Sequence, residues 1–452
     1  MQGNSNGWIE MSLNAIKRKI HNWVKAERPN LYGLLALKQE LVDAYGMQEA
    51  ADIFCQAAGW GNATRIRPLA VRPLREYAQK HADYFEEISP SQLKGCPAIR
   101  GAEGDVVRAK VVKTRPMYFC VLKDAVVASK SDLIVCDDSA LLDSEPEELD
   151  WLPLNLSVNA PVISHQDKTA WVVEPEDENP NSLHLAAALS LLGVHSFNFG
   201  HWMMEFLPRV WLAMNRPGFS DVPVLLDNQM PHQNIEALKF FIGDAHPVRV
   251  IQPGQKVTVG RLWASPMFRY CPAGADPKVV NKEGFVQLPL DAQLFTQLFR
   301  GALAAAPAKV PASPYKYVYL TRKNLHKQLI NQEEIENYMR ALGFELFDFY
   351  ELPFLSQVSI IQNASILAGP EGSAFSNICF GRGGLKVVQF TSPFVDGYEF
   401  YSQLAEAWGL DVYLLKGEYA GAQSEYQFHS DYRVSVDQLK KIMKRLMPES
   451  QT

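Results

Sequence analysis

The sequence predicts an α/β protein with two domains, the second a doubly wound parallel sheet. Three observations carry this. From about residue 315 onward, apolar strand-like runs alternate strictly with helical runs, a rhythm that implies right-handed crossovers and a sheet covered on both faces. A short apolar strand at 365–369 runs into Gly-Pro-Glu-Gly-Ser and then a helical pattern. The chain has 452 residues, too many for one ordinary core.

Residues 9–58 read as helices. Leu13, Ile16, Ile20, Trp23 and Val24 share one face, and Lys17, Arg18, Lys19 and Lys25 lie mainly on the other. Such a helix packs on a neighbouring domain with its lysines solvated; the competing role is peripheral contact with an anionic membrane surface. Between about 105 and 175 the pattern changes to short strands at 109–113, 118–122, 132–136 and 169–173, with the acidic segment 137–150 expected as a solvated loop. Helical periodicity returns at 183–192 and 201–214. A strand at 222–227, a helix at 233–242 and strands near 248–251 and 260–264 follow.

The Pro/Ala-rich stretch 305–314 reads as a linker. Beyond it come strand 317–321 and helix 332–342, strand 344–349 and helix 353–363, strand 365–369 and helix 373–379, strand 386–390 and helix 398–408, and a last strand at 412–415. The expected organisation is a helical extension over 1–100, a first α/β domain over 101–304, a second over 315–425 and a C-terminal helix over 426–452.

Net charge is −6, which argues against nucleic acid as a partner through a basic surface. Six cysteines are scattered without a Cys-x-x-Cys pair, so reduced, buried thiols are expected. The longest apolar run, 183–194, is about half the length of a membrane span. With no secretory signal recognisable, the expected location is cytoplasmic, or peripheral at the inner face of the membrane.

Ligands of a parallel sheet sit at the carboxyl ends of its strands. The turn Gly369, Pro370, Glu371, Gly372, Ser373 lies at such an end, where free amides and a helix N-terminus favour an anion, above all phosphate. Gly369 and Gly372 allow close backbone approach, Ser373 can donate, and Glu371 can accept from sugar or ribose hydroxyls. Alternatively the glycines only serve the turn. Thr321, Arg322 and Lys323 leave the neighbouring strand at the same end, where arginine can grip a diphosphate through two parallel hydrogen bonds. Asn331 before Glu333 and Glu334 reads as a helix N-cap. The segment carries neither a Gly-Lys-Ser/Thr loop nor a GxGxxG fingerprint, which argues against an ATPase or a dehydrogenase.

In Phe-Asn-Phe-Gly-His-Trp-Met-Met-Glu-Phe-Leu-Pro-Arg, residues 197–209, Gly200 permits a sharp entry. It places His201 and Glu205 one helical turn apart on one face. An imidazole and a carboxylate so placed suit proton abstraction and hydroxyl orientation; an ion pair of Glu205 with Arg209 is the structural alternative.

The order Asn-Phe-Gly-His-Trp-x-x-Glu-x-Leu-Pro-Arg, Tyr-Leu-Thr-Arg, Gly-Pro-x-Gly-Ser-Ala-x-x-Asn resembles glycosyltransferase family 61, including its bacterial capsular-polysaccharide-type members, over about 105–420. The resemblance implies a GT-B-like fold of two Rossmann-like domains facing a cleft, an inverting mechanism without a metal, and a nucleotide-sugar donor that is a substrate, not a cofactor. The acceptor is an oligosaccharide or lipid-linked glycan. By position, Gly200, His201 and Glu205 fall on the acceptor side. Arg322 and Gly369–Asn377, the last being the motif asparagine, fall in the donor half. The catalytic base expected is Glu205, with His201 second. No Asp-x-Asp motif lies at a suitable strand end; Asp137 and Asp138 are adjacent in the acidic segment. Glu371 stands where histidine is usual, and Gln328 near a position that is often basic. A sugar-nucleotide epimerase and a non-catalytic glycan-binding relative share the architecture and are the alternatives.

Overall fold

The structure, a computed structural model, describes residues 13–27, 29–101, 106–146, 154–175, 182–268, 273–275, 291–307, 309–323, 327–393, 408–424 and 427–447. Two sheet systems with flanking helices form a GT-B-like, two-domain α/β architecture. The helix expected at 398–408 lies almost wholly outside the described residues.

The second sheet follows the predicted alternation. Its parallel strands run in the order Glu345–Phe347, Tyr317–Leu320, Ile366–Pro370, Lys386–Thr391, Asp411–Lys416. Ile366–Pro370 is buried at every position, as a strand covered on both faces must be. Helices Gln332–Ala341 and Phe354–Asn363 are the crossovers. Two strands come from far upstream: Leu93–Arg100 joins Asp411–Lys416 in parallel at Arg100 and Tyr413, and Val106–Lys113 pairs antiparallel with it. The strand expected at 109–113 thus completes the second sheet although it belongs to the N-terminal half of the chain.

The first sheet has a parallel part, Val248–Ile251, Val224–Asp227, Leu183–Ser190 and Lys256–Ala264, continued by the long antiparallel strand Met117–Ala128. A smaller set, Ile134–Cys136, Ser139–Leu142, Ala63–Pro73, Thr169–Pro175 and Val162–Gln166, extends it. Three expectations change here. Residues 183–190 form a strand, not a helix, because pairing on both sides outweighs the helix preference of Leu-Ala-Ala-Ala. The acidic segment 137–150 begins as a hairpin turn whose Asp137 and Asp138 are solvated as expected, but Ser139–Leu142 after it is a fully buried strand, and 147–150 lie outside the described residues. The extension expected to be helical over the first hundred residues is so only in part: after Ala58 come strands Ala63–Pro73, Tyr84–Ser89 and Leu93–Arg100, with one short helix, Leu74–His81, among them.

Helix Leu13–Lys25 buries Ile16, Ile20, Trp23 and Val24 in a cluster shared with helix Leu31–Ala58, while Arg18, Lys19 and Lys25 face outward. Its apolar side is therefore occupied by the protein itself. Among the described residues no helix is long and apolar enough to cross a membrane. Cys55, Cys120, Cys136 and Cys379 are buried free thiols, and burial pushes Cys55 and Cys136 up to about 12.

The two lobes share one apolar core. Trp211 packs edge-on against Phe241, Phe295 and Phe299, and Phe299 in turn meets Phe380 and Trp408 of the second lobe. Helix Ala292–Ala305, just before the expected linker, carries Phe295 and Phe299 and wedges the lobes together.

A buried lysine ties the N-terminal helices to the first sheet. Lys38 is 1% exposed, and its Nζ donates to the carbonyls of Ser157, Asn159, Ala160 and Val162 at 2.7–3.0 Å. Burial lowers its pKa, yet the ring of four acceptors and the face of Phe54 at 4.8 Å suit the charged form. Lys38→Met strands these carbonyls without a donor and should cost about 2–4 kcal/mol in urea denaturation; a loss under about 0.5 kcal/mol contradicts this role.

Candidate active site

The segment after strand Leu183–Ser190 is fixed by buried polar groups. Asp227 accepts from Gly193 N at 3.0 Å and Ser196 Oγ at 2.7 Å with one oxygen, and from Ser129 Oγ and Lys130 N with the other. Asp132 accepts from Val194 N at 3.0 Å, and burial pushes its carboxyl up to about 7. Only glycine fits at 193, since a Cβ there would stand 2.6 Å from Phe206 and from Asp132 Oδ1.

The chain then turns at Asn198, whose Oδ1 caps the next helix by accepting from Gly200 N at 2.9 Å. The helix opens at Phe199, carries His201 in its first turn and passes through a π turn at Trp202–Phe206 before resuming at Leu207–Met214. Such a bulge occurs mostly at functional sites because it re-aims side chains. Here it carries Glu205, which is 1% exposed and accepts or shares a proton with His201 Nδ1 at 2.8 Å. His201 is 13% exposed. The imidazole therefore stands between the carboxylate and the surface. His195 lies flat on the other side of that imidazole, ring centroids 4.3 Å apart and planes 17° apart. Arg209, the alternative partner of Glu205, donates to Ser190 O at 3.4 Å in a recess also lined by Asp132 and Asp143, and the Glu205 charge is one of three carboxylates acting on it.

The donor-half residues meet this helix directly. Ser373 Oγ donates to Asn198 Oδ1 at 2.8 Å, and a Cβ on Gly200 would come within 3.4 Å of the Ser373 backbone. So the motif around His201 and the 369–373 turn touch across the two lobes. Gly369 is required by close packing, since a Cβ would fall 2.5 Å from Leu320 O. Gly372 is extended, at φ 176°, with space around it and Arg322 Nη1 3.9 Å from where a Cβ would stand. The segment after it is a 3₁₀ helix, Ser373–Phe380, in place of the α-helix expected at 373–379.

Arg322 lies beside that turn, donating from Nη1 to Glu371 O at 2.7 Å; its Nε is buried without a protein partner among the described residues. Lys323 is 71% exposed, 3.8 Å from Asp348. Thr321 faces away, its hydroxyl bonded to Glu336 and Gln332. Pro370 is a buried strand residue, and Asn377, fully buried, donates to Gln357 Oε1 and Ala374 O, bracing the turn from behind. Asn331 holds the expected N-cap position of helix Gln332–Ala341, but its side chain makes no capping bond and instead bonds both ways to the Val434 backbone.

Glu371 is occupied from within. At 1% exposure it binds Lys327 Nζ, itself 2% exposed, at 2.8 Å. Burial pulls Lys327 down to about 8 while the neighbouring carboxylate opposes the shift. Sequence reasoning missed Lys327, although it precedes Gln328; a lysine at φ +55° in a loop shows its partner only in three dimensions. His195 was missed for the same reason. Among the described residues no three His, Cys, Asp or Glu side chains are grouped to hold a metal ion.

Residues 199–388 match the family model described as Glycosyltransferase 61. The span begins at the helix of His201 and Glu205 and ends within strand Lys386–Thr391, taking in Arg322 and the 369–373 turn. Comparison with curated proteins gives no match.

Removing one member of a buried pair strands the other charge, at a typical cost of about 3–5 kcal/mol. Glu371→Gln should therefore destabilise the fold by about that much in chemical denaturation, and Lys327→Met/Glu371→Gln together by clearly less. Additive losses would contradict the pairing.

Proposed function

We propose, from the match of residues 199–388 to the glycosyltransferase 61 family model, that the protein is a glycosyltransferase of that family and moves a sugar from a nucleotide-sugar donor on the second sheet to a glycan hydroxyl activated by His201. The observation that carries this reading is the 2.8 Å contact of His201 Nδ1 with the buried Glu205. A carboxylate there holds the proton on Nδ1 and leaves the Nε2 lone pair as the base. Glu205, first choice from the sequence, takes the orienting role because the imidazole shields it.

The diphosphate lies against Arg322, Lys323 and the amides of Gly372 and Ser373. Arg322 is already aimed at the turn by Glu371 O, and its Nε has a bond to give. The Lys327–Glu371 pair is neutral as a unit, so Glu371 adds no net repulsion to a phosphate beside it. Ser373 spends its hydroxyl proton on Asn198, which leaves its backbone N–H for the phosphate.

In the reaction, the acceptor oxygen forms a bond to the anomeric carbon as the bond from that carbon to the diphosphate oxygen breaks. The hydroxyl proton passes to His201 Nε2, Glu205 stabilises the imidazolium, and the diphosphate leaves with the electron pair. Attack opposite the leaving group inverts the anomeric configuration. The charge is met by cationic side chains and amides, so the mechanism is metal-independent. The likeness to capsular-polysaccharide-type members supports a bacterial surface polysaccharide as the product and a cytoplasmic site of action. Any membrane contact is peripheral and electrostatic, through the outward cationic face of helix Leu13–Lys25.

The donor is first chosen as the UDP- or GDP-sugar that raises the melting temperature most. Turnover is then read as nucleotide release. His201→Gln and Glu205→Gln should each lower kcat by about 10²–10⁴-fold with donor affinity unchanged. Wild-type turnover in His201→Gln removes it as the base. Arg322→Ala should weaken nucleoside diphosphate binding in calorimetry about tenfold or more; unchanged affinity removes it from the phosphate site.

A further inference from the structure

We infer that His195 is a positioning residue for the transfer reaction, its ring a fixed plate against which the His201 imidazole is held in its productive orientation. This rests on the reading of His201 as base. Three residues around His195 are clamped: Gly193 and Ser196 by Asp227, Val194 by Asp132, and Ser196 again through its carbonyl by Asn234 Nδ2 at 2.8 Å. Asn198 N closes the turn by donating to His195 O at 2.9 Å. Holding one short segment with two carboxylates, Asp227 buried and Asp132 half-buried, is costly unless the residue between the pins needs an exact position. That residue is His195, and what it touches is the face of His201.

A hydrogen bond at Nδ1 fixes one point of an imidazole but leaves the ring free to pivot about it. A second ring lying 17° from coplanar at 4.3 Å removes that pivot. The Nε2 lone pair is then held on one line, pointing where the acceptor hydroxyl must arrive. Small errors in that direction are expensive in rate but not in donor affinity, because the donor contacts lie on the other lobe.

The test separates stacking from bulk structure. His195→Ala should lower kcat for nucleotide release from the selected donor by about ten- to a hundredfold, with donor KM and melting temperature unchanged. His195→Phe, which keeps a flat ring and loses the polar nitrogens, should recover kcat to within about threefold of wild type. Wild-type kcat in His195→Ala, or His195→Phe as slow as His195→Ala, overturns the inference. Activity retained by His201→Gln would instead overturn the base assignment beneath it, so the two failures are told apart by which variant stays active.

Discussion

The contact between His201 Nδ1 and Glu205 is the constraint from which the site takes its chemistry. In the proposed mechanism it selects one tautomer, offers the other ring nitrogen as the base, and buries the compensating charge where solvent cannot screen it. The π turn at Trp202–Phe206 brings the carboxylate there, and the apolar side chains of the same turn seal it: Trp202, Met203, Met204 and Phe206 are all fully buried.

The donor wall depends on this helix through the Asn198–Ser373 bond. One amide oxygen caps the helix carrying His201 and also accepts from Ser373 in the turn proposed to meet the phosphates. The aromatic core built around Trp211, Phe299 and Phe380 runs behind both. Lobes joined by such a core resist large hinge motion, because opening them would expose the aromatic faces to water. Base and donor turn are therefore positioned together at the time of folding, and the adjustment left to substrate binding is local.

Much of the second sheet was legible because parallel strands buried on both faces leave continuous apolar runs, and Ile366–Pro370 and Lys386–Thr391 are such runs. Leu183–Ser190 was not, since Leu-Ala-Ala-Ala has helical preferences and its strand character comes from neighbours distant in the chain. The crossing of Leu93–Lys113 into the second sheet has no local signal at all. In the candidate site, the one-turn spacing of His201 and Glu205 and the strand-end position of Arg322 could be read from the sequence. The contacts of Lys327, His195 and Asn198 could not, because each meets a partner brought near by folding. Glu371 shows the point from the other direction: as a lone acidic residue beside a phosphate site it looks unfavourable, and its pairing with Lys327 removes the difficulty.

The tautomer of His201 can be read directly by nitrogen-15 spectroscopy of histidine-labelled protein at neutral pH, its signals identified by their loss in His201→Gln. The account predicts a neutral ring protonated at Nδ1 with an unprotonated Nε2, and a shift toward the other tautomer in Glu205→Gln. A wild-type ring protonated at Nε2 would leave no lone pair for the acceptor hydroxyl and would contradict the account at its base.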